Sequence, residues 1–422
     1  MLLGNLLPLL SCTLAAALWQ QPALPDWPQD WWRFTLQTPG GELPFLVEWK
    51  TDSDAARAWI HNGPERWPIG GLQRDAAGLI LDMEPYDSHI LLSWTEKGKA
   101  MTGVWRKRLD RERWQVLLCR AESISEPSAT ARFRPLAEEE SDHSLPLASK
   151  WKVQFQKADQ AAVALFQEGA GGQVTGTFMT TLGDYRYLAG RRDGHQLRLS
   201  CFDGSHAFLF QAERSTDGSL QGDFWSGDRW HETWSAKPDP QAKLEDAFQA
   251  TKVEGAVDWR QLQFPDLNGK LRKLGETEFP VKATVLQIFG SWCPNCHDET
   301  KLLVELDRRY RSQGLQILAL AFERTGDPAL DRPQLQRYRR IHQVEYPTLL
   351  AGTADKAAAS RALPFLDRIR AFPTTVFIDQ DGRIQAVHSG FAGPATGEAH
   401  QRLRTKFESI IVRLLQSQGQ SK

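Results

Sequence analysis

The chain reads as a multidomain protein, with two tandem antiparallel all-β modules, each a small barrel or sandwich, followed by an α/β domain. Three observations predict this. Period-two alternation of apolar and polar residues dominates the first 240 positions and gives way afterwards to continuous apolar runs separated by helical patterns. Segments of the first part recur at a spacing near 118 residues, too long for a solenoid repeat and suited to domain duplication. Of 16 tryptophans, 15 lie between Trp19 and Trp259, so the material of the chain changes near residue 260. Lys and Arg number 51 against 52 Asp and Glu, which argues against a nucleic-acid binder held by a basic surface. Hydrophobic residues at 41% and charged residues at 24% are ordinary for globular domains.

Residues 1–19, MLLGNLLPLLSCTLAAALW, form an uncharged apolar run that fits the core of a secretory signal better than a membrane span of about 20 residues. Ala15-Ala16-Ala17 offers a cleavage site. Leu9-Leu10-Ser11-Cys12 resembles a bacterial lipobox, which would place a lipid on Cys12. The expectation is export to a periplasm or cell envelope, in a cleaved or a lipid-anchored form. Five cysteines exclude a scaffold built from disulfides.

The first β module is expected over residues 30–121 and the second over 150–236, with polar, Pro-containing linkers at 122–149 and 237–258. Trp32-Arg33-Phe34 corresponds to Trp151-Lys152-Val153, and Arg66-Trp67 to Arg186-Tyr187. Tyr86-Asp87-Ser88-His89 corresponds to Phe202-Asp203-Gly204-Ser205-His206. Phe45, Val47 and Trp49 form one face of a strand; so do Trp151, Val153 and Phe155, and Leu197, Leu199 and Cys201. Seven or eight strands per module are expected. Cys119 and Cys201 occupy unmatched positions; Cys201 is expected to be buried and free, with a bridge between the modules as the alternative. His89 and His206 mark a duplicated turn, with a ligand site there as the weaker idea.

The last domain spans 259–420. Ala283–Phe289 and Leu315–Phe322 read as strands buried on both faces, as in a parallel sheet. A helix from Pro294 to Gln313 separates them, and a hairpin around Asp381-Gly382 precedes a closing amphipathic helix at 397–416. Cys293-Pro294-Asn295-Cys296 stands where the first strand meets its helix. A helix start presents unpaired N–H groups and partial positive charge, which favour a thiolate at Cys293. Cys296 lies one turn on, within bridging reach, and would resolve a mixed disulfide. Pro294 takes the first helical position, where its missing N–H costs nothing. A zinc site would need four ligands; the chain has no second CxxC, and His297, His342 and His388 show no required spacing. No metal or added cofactor is expected beyond the redox-active cysteine pair.

These residues resemble the TlpA/ResA group of thioredoxin-like disulfide reductases. The likeness rests on Phe289-Gly290-Ser291-Trp292-Cys293-Pro294-Asn295-Cys296, on Ala371-Phe372-Pro373-Thr374-Thr375, and on Asp381-Gly382-Arg383-Ile384. It covers about residues 260–420, and the 77 residues from Cys296 to Pro373 leave room for the helix–strand–helix that this group inserts. The resemblance implies a thioredoxin-like fold, a cis peptide before Pro373 and a site flanked by Trp292 and Phe372. It also implies protein disulfides or thiols as substrates and a membrane-embedded thiol carrier as electron donor.

Glu299, Leu303, Leu306 and Tyr310 share one stripe of the helix, so a carboxylate faces the interior, where desolvation raises its pKa and makes it a proton acceptor for Cys296. The group carries an acid at this position, whereas classical thioredoxins use an Asp where this chain has Gln287. His297 could assist a thiolate as a cation or simply be solvated. The dipeptide Pro294-Asn295 is not the commonest between such cysteines, so the direction of exchange is open between reductant and oxidant. A peroxiredoxin shares the architecture, but its reactive Cys follows a Thr by three residues, where this chain has Gly290. The remaining rival is a ligand- or partner-binding β protein with an accessory redox domain.

Overall fold

The computed structural model describes residues 26–417, apart from 53–54, 76, 97, 137–145, 256 and 278–279. The expected signal at 1–19 and the lipid site at Cys12 lie outside the described residues. Within them, no helix is long and apolar enough to cross a membrane.

Strands Asp30–Thr38 (β1), Gly41–Thr51 (β2), Ala56–Asn62 (β3) and Glu65–Pro68 (β4) form one arm of the first sheet. Gly71–Asp75 (β5), Gly78–Asp82 (β6), Ser88–Glu96 (β7), Ala100–Arg108 (β8) and Trp114–Ile124 (β9) form the other. The arms join where β1 pairs with β9, while the end strands β4 and β5 do not pair with each other, so the sheet is an open half-barrel. After a short helix, Ala129–Arg132 (α1), the pattern repeats. The second sheet begins with Lys150–Phe155 (β10), Ala162–Glu168 (β11), Gln173–Thr180 (β12) and Gly183–Asp184 (β13). It continues with Leu188–Asp193 (β14), Gln196–Phe202 (β15), Ala207–Arg214 (β16), Leu220–Ser226 (β17) and Trp230–Pro238 (β18).

Among the described residues each module therefore has nine strands, not seven or eight, because the short β4 and β13 carry too little alternation to be seen in sequence. In the second module β12 pairs with β11 on one side and with both β13 and β14 on the other, closing an eight-stranded up-and-down barrel. Trp151, Val153, Phe155, Leu199 and Cys201 fill its interior.

An open half-barrel leaves its apolar interior uncovered unless something else covers it. The outer face of the second barrel does so. Phe202, Ala207 and Leu209 leave β15 and β16 outward and complete the first module's core. The Phe202 ring stacks on Phe45 at 4.4 Å and meets Trp105 edge-on at 5.4 Å. Asn62 holds the Phe202 backbone from both sides, donating to its carbonyl at 2.9 Å and accepting its N–H at 3.3 Å. Buried Arg132, in the segment expected to be a linker, donates to the His61 carbonyl at 2.8 Å and to the Ser200 hydroxyl at 3.0 Å. The two modules thus share a core. Cys119 belongs to the first interior and Cys201 to the second, both as free thiols.

Part of 237–258, also expected to be a linker, packs on the last domain. Thr251 hydrogen-bonds Ser389 at 2.7 Å, and Val253 forms a bridge with Leu366. After a small hairpin, Gln263–Pro265 (β19) and Leu271–Lys273 (β20), the main sheet consists of Ala283–Phe289 (β21), Leu315–Glu323 (β22), Thr348–Thr353 (β23), Thr374–Asp379 (β24) and Ile384–Ser389 (β25). Their order is β23-β22-β21-β24-β25, with β24 alone running antiparallel to the other four. Every residue of β21 and β22 is buried, as a sheet covered on both faces requires. The helices are Pro294–Tyr310 (α2), Pro328–His342 (α3), Lys356–Ala362 (α4) and Glu398–Gln416 (α5). The expected insert between the CxxC helix and Pro373 is α3-β23-α4.

Replacing Phe202 with Ala removes a ring that closes the first core while attached to the second. Phe202→Ala should cost about 3–5 kcal/mol and weaken the first module more than the barrel that carries the residue. Urea unfolding with hydrogen exchange resolved by module will check this.

Candidate active site

Buried strand β21 delivers the chain to a turn that only glycine fits: a Cβ on Gly290 would lie 2.2 Å from the Trp292 ring and 2.8 Å from the Phe322 carbonyl. Ser291 is held by Glu323, which accepts its N–H at 2.8 Å and its hydroxyl at 2.7 Å. Cys293 then caps α2, its sulfur accepting the Cys296 N–H at 3.3 Å, with Pro294 in the first turn. The Cys293 thiol donates to the carbonyl of Phe372 at 3.3 Å, and the Phe372-Pro373 peptide is cis. The Trp292 ring meets Phe372 edge-on at 5.6 Å. The structure thus brings together all eight residues singled out in the last domain. Cys293 is 6% exposed and Cys296 is wholly buried, and neither is bridged. Burial, reinforced by the neighbouring Cys293, pushes the Cys296 thiol well above its ordinary range, so its deprotonation needs an acceptor.

Glu299 is the carboxylate that the sequence leads one to expect as that acceptor. It lies on the same helix as Cys296 and is wholly buried. Gln287 donates to one of its oxygens at 3.0 Å, and the Thr375 hydroxyl donates to the other. Burial raises the Glu299 pKa to about 7, and these hydrogen bonds only partly offset it. The supporting pair was not evident from sequence. Gln287 stands where classical thioredoxins have an Asp, and its amide also reaches Thr300 at 2.8 Å. Thr375, two residues after Pro373, points from β24 toward α2 because strand side chains alternate.

The second departure from sequence reasoning is His297, neither cationic nor solvated. It is buried, donates from Nε2 to the Ser291 carbonyl at 2.7 Å, hydrogen-bonds His342 through Nδ1 at 2.6 Å, and touches the rings of Tyr86 and Tyr338. Burial, aided by His342, drives its pKa well below 6.5, so it stays neutral. Among the described residues no three His, Cys, Asp or Glu side chains gather as a metal ion would need.

The β modules reach the site, which sequence reasoning did not foresee. Asn295 donates to Asp184 at 2.6 Å and to the Phe391 carbonyl at 2.9 Å. Ser205 donates to the Trp292 carbonyl at 3.0 Å. Arg186, buried and in a left-handed conformation at φ 62°, pairs with Asp298 of α2, with Glu65 at 3.1 Å and with Asp203 at 3.6 Å. Burial opposes its charge, yet the carboxylates hold its pKa well above the usual value. The partners differ: Asp298 is held below its ordinary pKa by Arg186 against the effect of burial, whereas burial leaves Glu65 above. The recurring segments found in sequence, Arg66/Arg186 and the turns at 86–89 and 202–206, therefore lie at or beside this interface. Arg186→Met should cost about 3–5 kcal/mol by leaving buried carboxylates uncompensated. The loss should be smaller at about pH 5 than at pH 8, because those carboxylates then take up protons. Urea unfolding at both pH values is the measurement.

Residues 243–387 match the family model described as AhpC/TSA family. The chain is 29% identical over 127 residues to thiol-disulfide oxidoreductase ResA of Halalkalibacterium halodurans, covering 30% of this chain and 62% of that protein. It is 26% identical over 125 residues to ResA of Geobacillus thermodenitrificans, covering 30% and 63%. The chain thus spans less than two thirds of the length of these relatives. A crystal structure of a putative thiol:disulfide interchange protein DsbE from Chlorobium tepidum aligns with 39% of this chain and 99% of its own, at 16% identity and TM-score 0.30. The C-terminal part of this chain is a thioredoxin-fold domain of the AhpC/TSA kind, with ResA thiol-disulfide oxidoreductases among its relatives.

Proposed function

We propose that this protein is an exported thiol-disulfide oxidoreductase that reduces protein disulfides through Cys293 and Cys296. The observation that carries the reading is the arrangement of the two thiols, with Cys293 at a helix start against cis-Pro373 and Cys296 buried on the helix that also carries Glu299. In the first step the Cys293 thiolate attacks one sulfur of a substrate disulfide and the other sulfur leaves as a thiolate. In the second, Cys296 gives its proton to Glu299 and attacks the Cys293 sulfur. The second substrate thiolate leaves, the substrate has gained two electrons, and the enzyme holds a Cys293–Cys296 disulfide. By family likeness a membrane-embedded thiol carrier returns the dithiol. The segment at 1–19 would direct export, with processing after Ala17 or lipidation at Cys12, and the cysteine pair is the only redox group required.

One observation favours a second reading, a binding role for the β modules. A depression of about 800 Å³ crosses β10 and β15–β18, lined by Gln154, Gln156, Arg198, Gln211, Gln221 and Asp223. Its amide-rich lining suits a polar ligand such as a glycan better than an apolar one. Binding of glycans to the Cys293→Ser variant would support this role independently of redox chemistry.

Reduction of insulin tests the main reading. Cys293→Ser should abolish it, and Cys296→Ser should accumulate a mixed disulfide visible by mass spectrometry. A Cys293/Cys296 potential well below about −200 mV marks a reductant, and one near about −120 mV an oxidant. Peroxide consumption outpacing disulfide reduction would favour the peroxidase alternative. Glu299→Gln should slow the resolving step about 10²-fold and remove its fall below pH 7, where Glu299 becomes protonated. Unchanged stopped-flow rates would exclude the proton-acceptor role. Because burial raises this acid from 4.5 to about 7, stability present below the lower value is lost as pH rises through that window. Glu299→Gln should therefore gain about 3 kcal/mol more stability at pH 8 than at pH 4.5.

A further inference from the structure

Cys293 must be approached along the axis of a substrate's S–S bond, and in this fold the residues on either side of it are held by the protein's own β modules. Cys293 is 6% exposed, Asn295 8% and Phe372 8%, while Phe391 and Cys296 are buried more deeply still. Two segments of the second module lie against the residues around Cys293. The hairpin joining β12 to β13 lies on the loop after β25: a Cβ on Gly390 would sit 2.3 Å from the Leu182 carbonyl carbon. At the end of that hairpin Asp184 accepts from Asn295 at 2.6 Å and from the Gly393 N–H at 3.2 Å. The turn between β15 and β16 places the Ser205 hydroxyl on the carbonyl of Trp292, next to Cys293. Both segments therefore bind backbone or side chains of the reactive loops themselves.

The cover is made in a way that allows it to open. Its polar contacts with the reactive loops are hydrogen bonds made by two side chains, Asp184 and Ser205, and polar contacts are typical of interfaces between domains that move relative to each other. The closed arrangement also leaves the Thr181 hydroxyl and one oxygen of Asp184 buried without a partner, a penalty that water would relieve on opening.

We propose that the β12–β13 hairpin and the β15–β16 turn form an internal cover over the dithiol, and that protein disulfides reach Cys293 only after this cover lifts. The functional meaning rests on Cys293 being the attacking thiol; the cover itself does not. A protein substrate then pays the opening free energy before exchange, which lowers its apparent affinity by the fraction of open molecules. The β modules thereby decide which disulfides are reduced, favouring partners that displace the hairpin or the turn.

The test is alkylation of Cys293 in the reduced full-length chain, read by peptide mass spectrometry, with iodoacetamide as the small probe and a maleimide on a long polyethylene glycol chain as the bulky one. In the double variant Asp184→Ala/Ser205→Ala the bulky probe should react at least about tenfold faster than in the unaltered protein, with a smaller gain for iodoacetamide. Equal rates for the bulky probe in the two proteins would overturn the proposal. Should the variant not fold, hydrogen exchange of the unaltered protein decides. Residues 180–184 and 203–206 should open faster than the rest of the barrel, and protection equal to the barrel core would overturn the cover. Insulin reduction is read separately: its absence alongside the expected alkylation pattern would count against the reductase reading and leave the cover standing.

Discussion

The structure depends on one buried cation. Arg186 stands where three parts of the chain meet, with Glu65 from the half-barrel, Asp203 from the closed barrel and Asp298 from the catalytic helix around it. A guanidinium removed from water is tolerated only when its charge and donors are met, so its partners must arrive in register for any of them to be buried. Its left-handed backbone at φ 62° is a local cost accepted to aim the side chain inward. With Arg186 in place, the hairpin on one side of it and the turn carrying Asp203 on the other lie against the reactive loops.

The same economy appears in the cores. A half-barrel alone would expose Phe45 and Trp105 on its open side; the outward Phe202 of the barrel covers them, so neither module is a complete unit. The two sheets are similar in strand order but differ at one seam, where β4 and β5 do not pair with each other, and there the outside of the second sheet covers the first. The recurring turns then took different partners in the last domain. The turn at 83–87 brings Tyr86 against His297, and that at 203–206 brings Ser205 against Trp292.

Within the site, burial does most of the chemical tuning. Glu299 and Cys296 sit on one helix in the same apolar interior, and desolvation raises both pKa values. The hydrogen bonds from Gln287 and Thr375 partly offset that rise and leave the acid with a pKa of about 7. A neutral Gln287 is consistent with that arrangement, since an acid in its place would set a second negative charge beside Glu299.

Much of this was legible in sequence because it depends on local pattern. Alternation exposed the β modules, continuous apolar runs exposed β21 and β22, and a strand–CxxC–helix junction placed Cys293 and Cys296. The stripe of Glu299 with Leu303 and Leu306 correctly put a carboxylate inside. The short strands β4 and β13, the buried Arg132 within an apparent linker and the docking of part of 237–258 were not legible, because each is fixed by partners distant in the chain. His297 shows the limit most clearly: its neighbours in sequence are polar, and only Tyr86, Tyr338 and His342, arriving from elsewhere, make it a neutral core residue. Sequence by itself determined the change from β-rich to α/β material and the place of the cysteine pair at a strand–helix junction, since periodicity and motif spacing are properties of neighbouring residues. Only the tertiary structure decided that the modules share a core and that they stand over the dithiol, because those facts rest on long-range burial and on charges that meet only when the chain is folded.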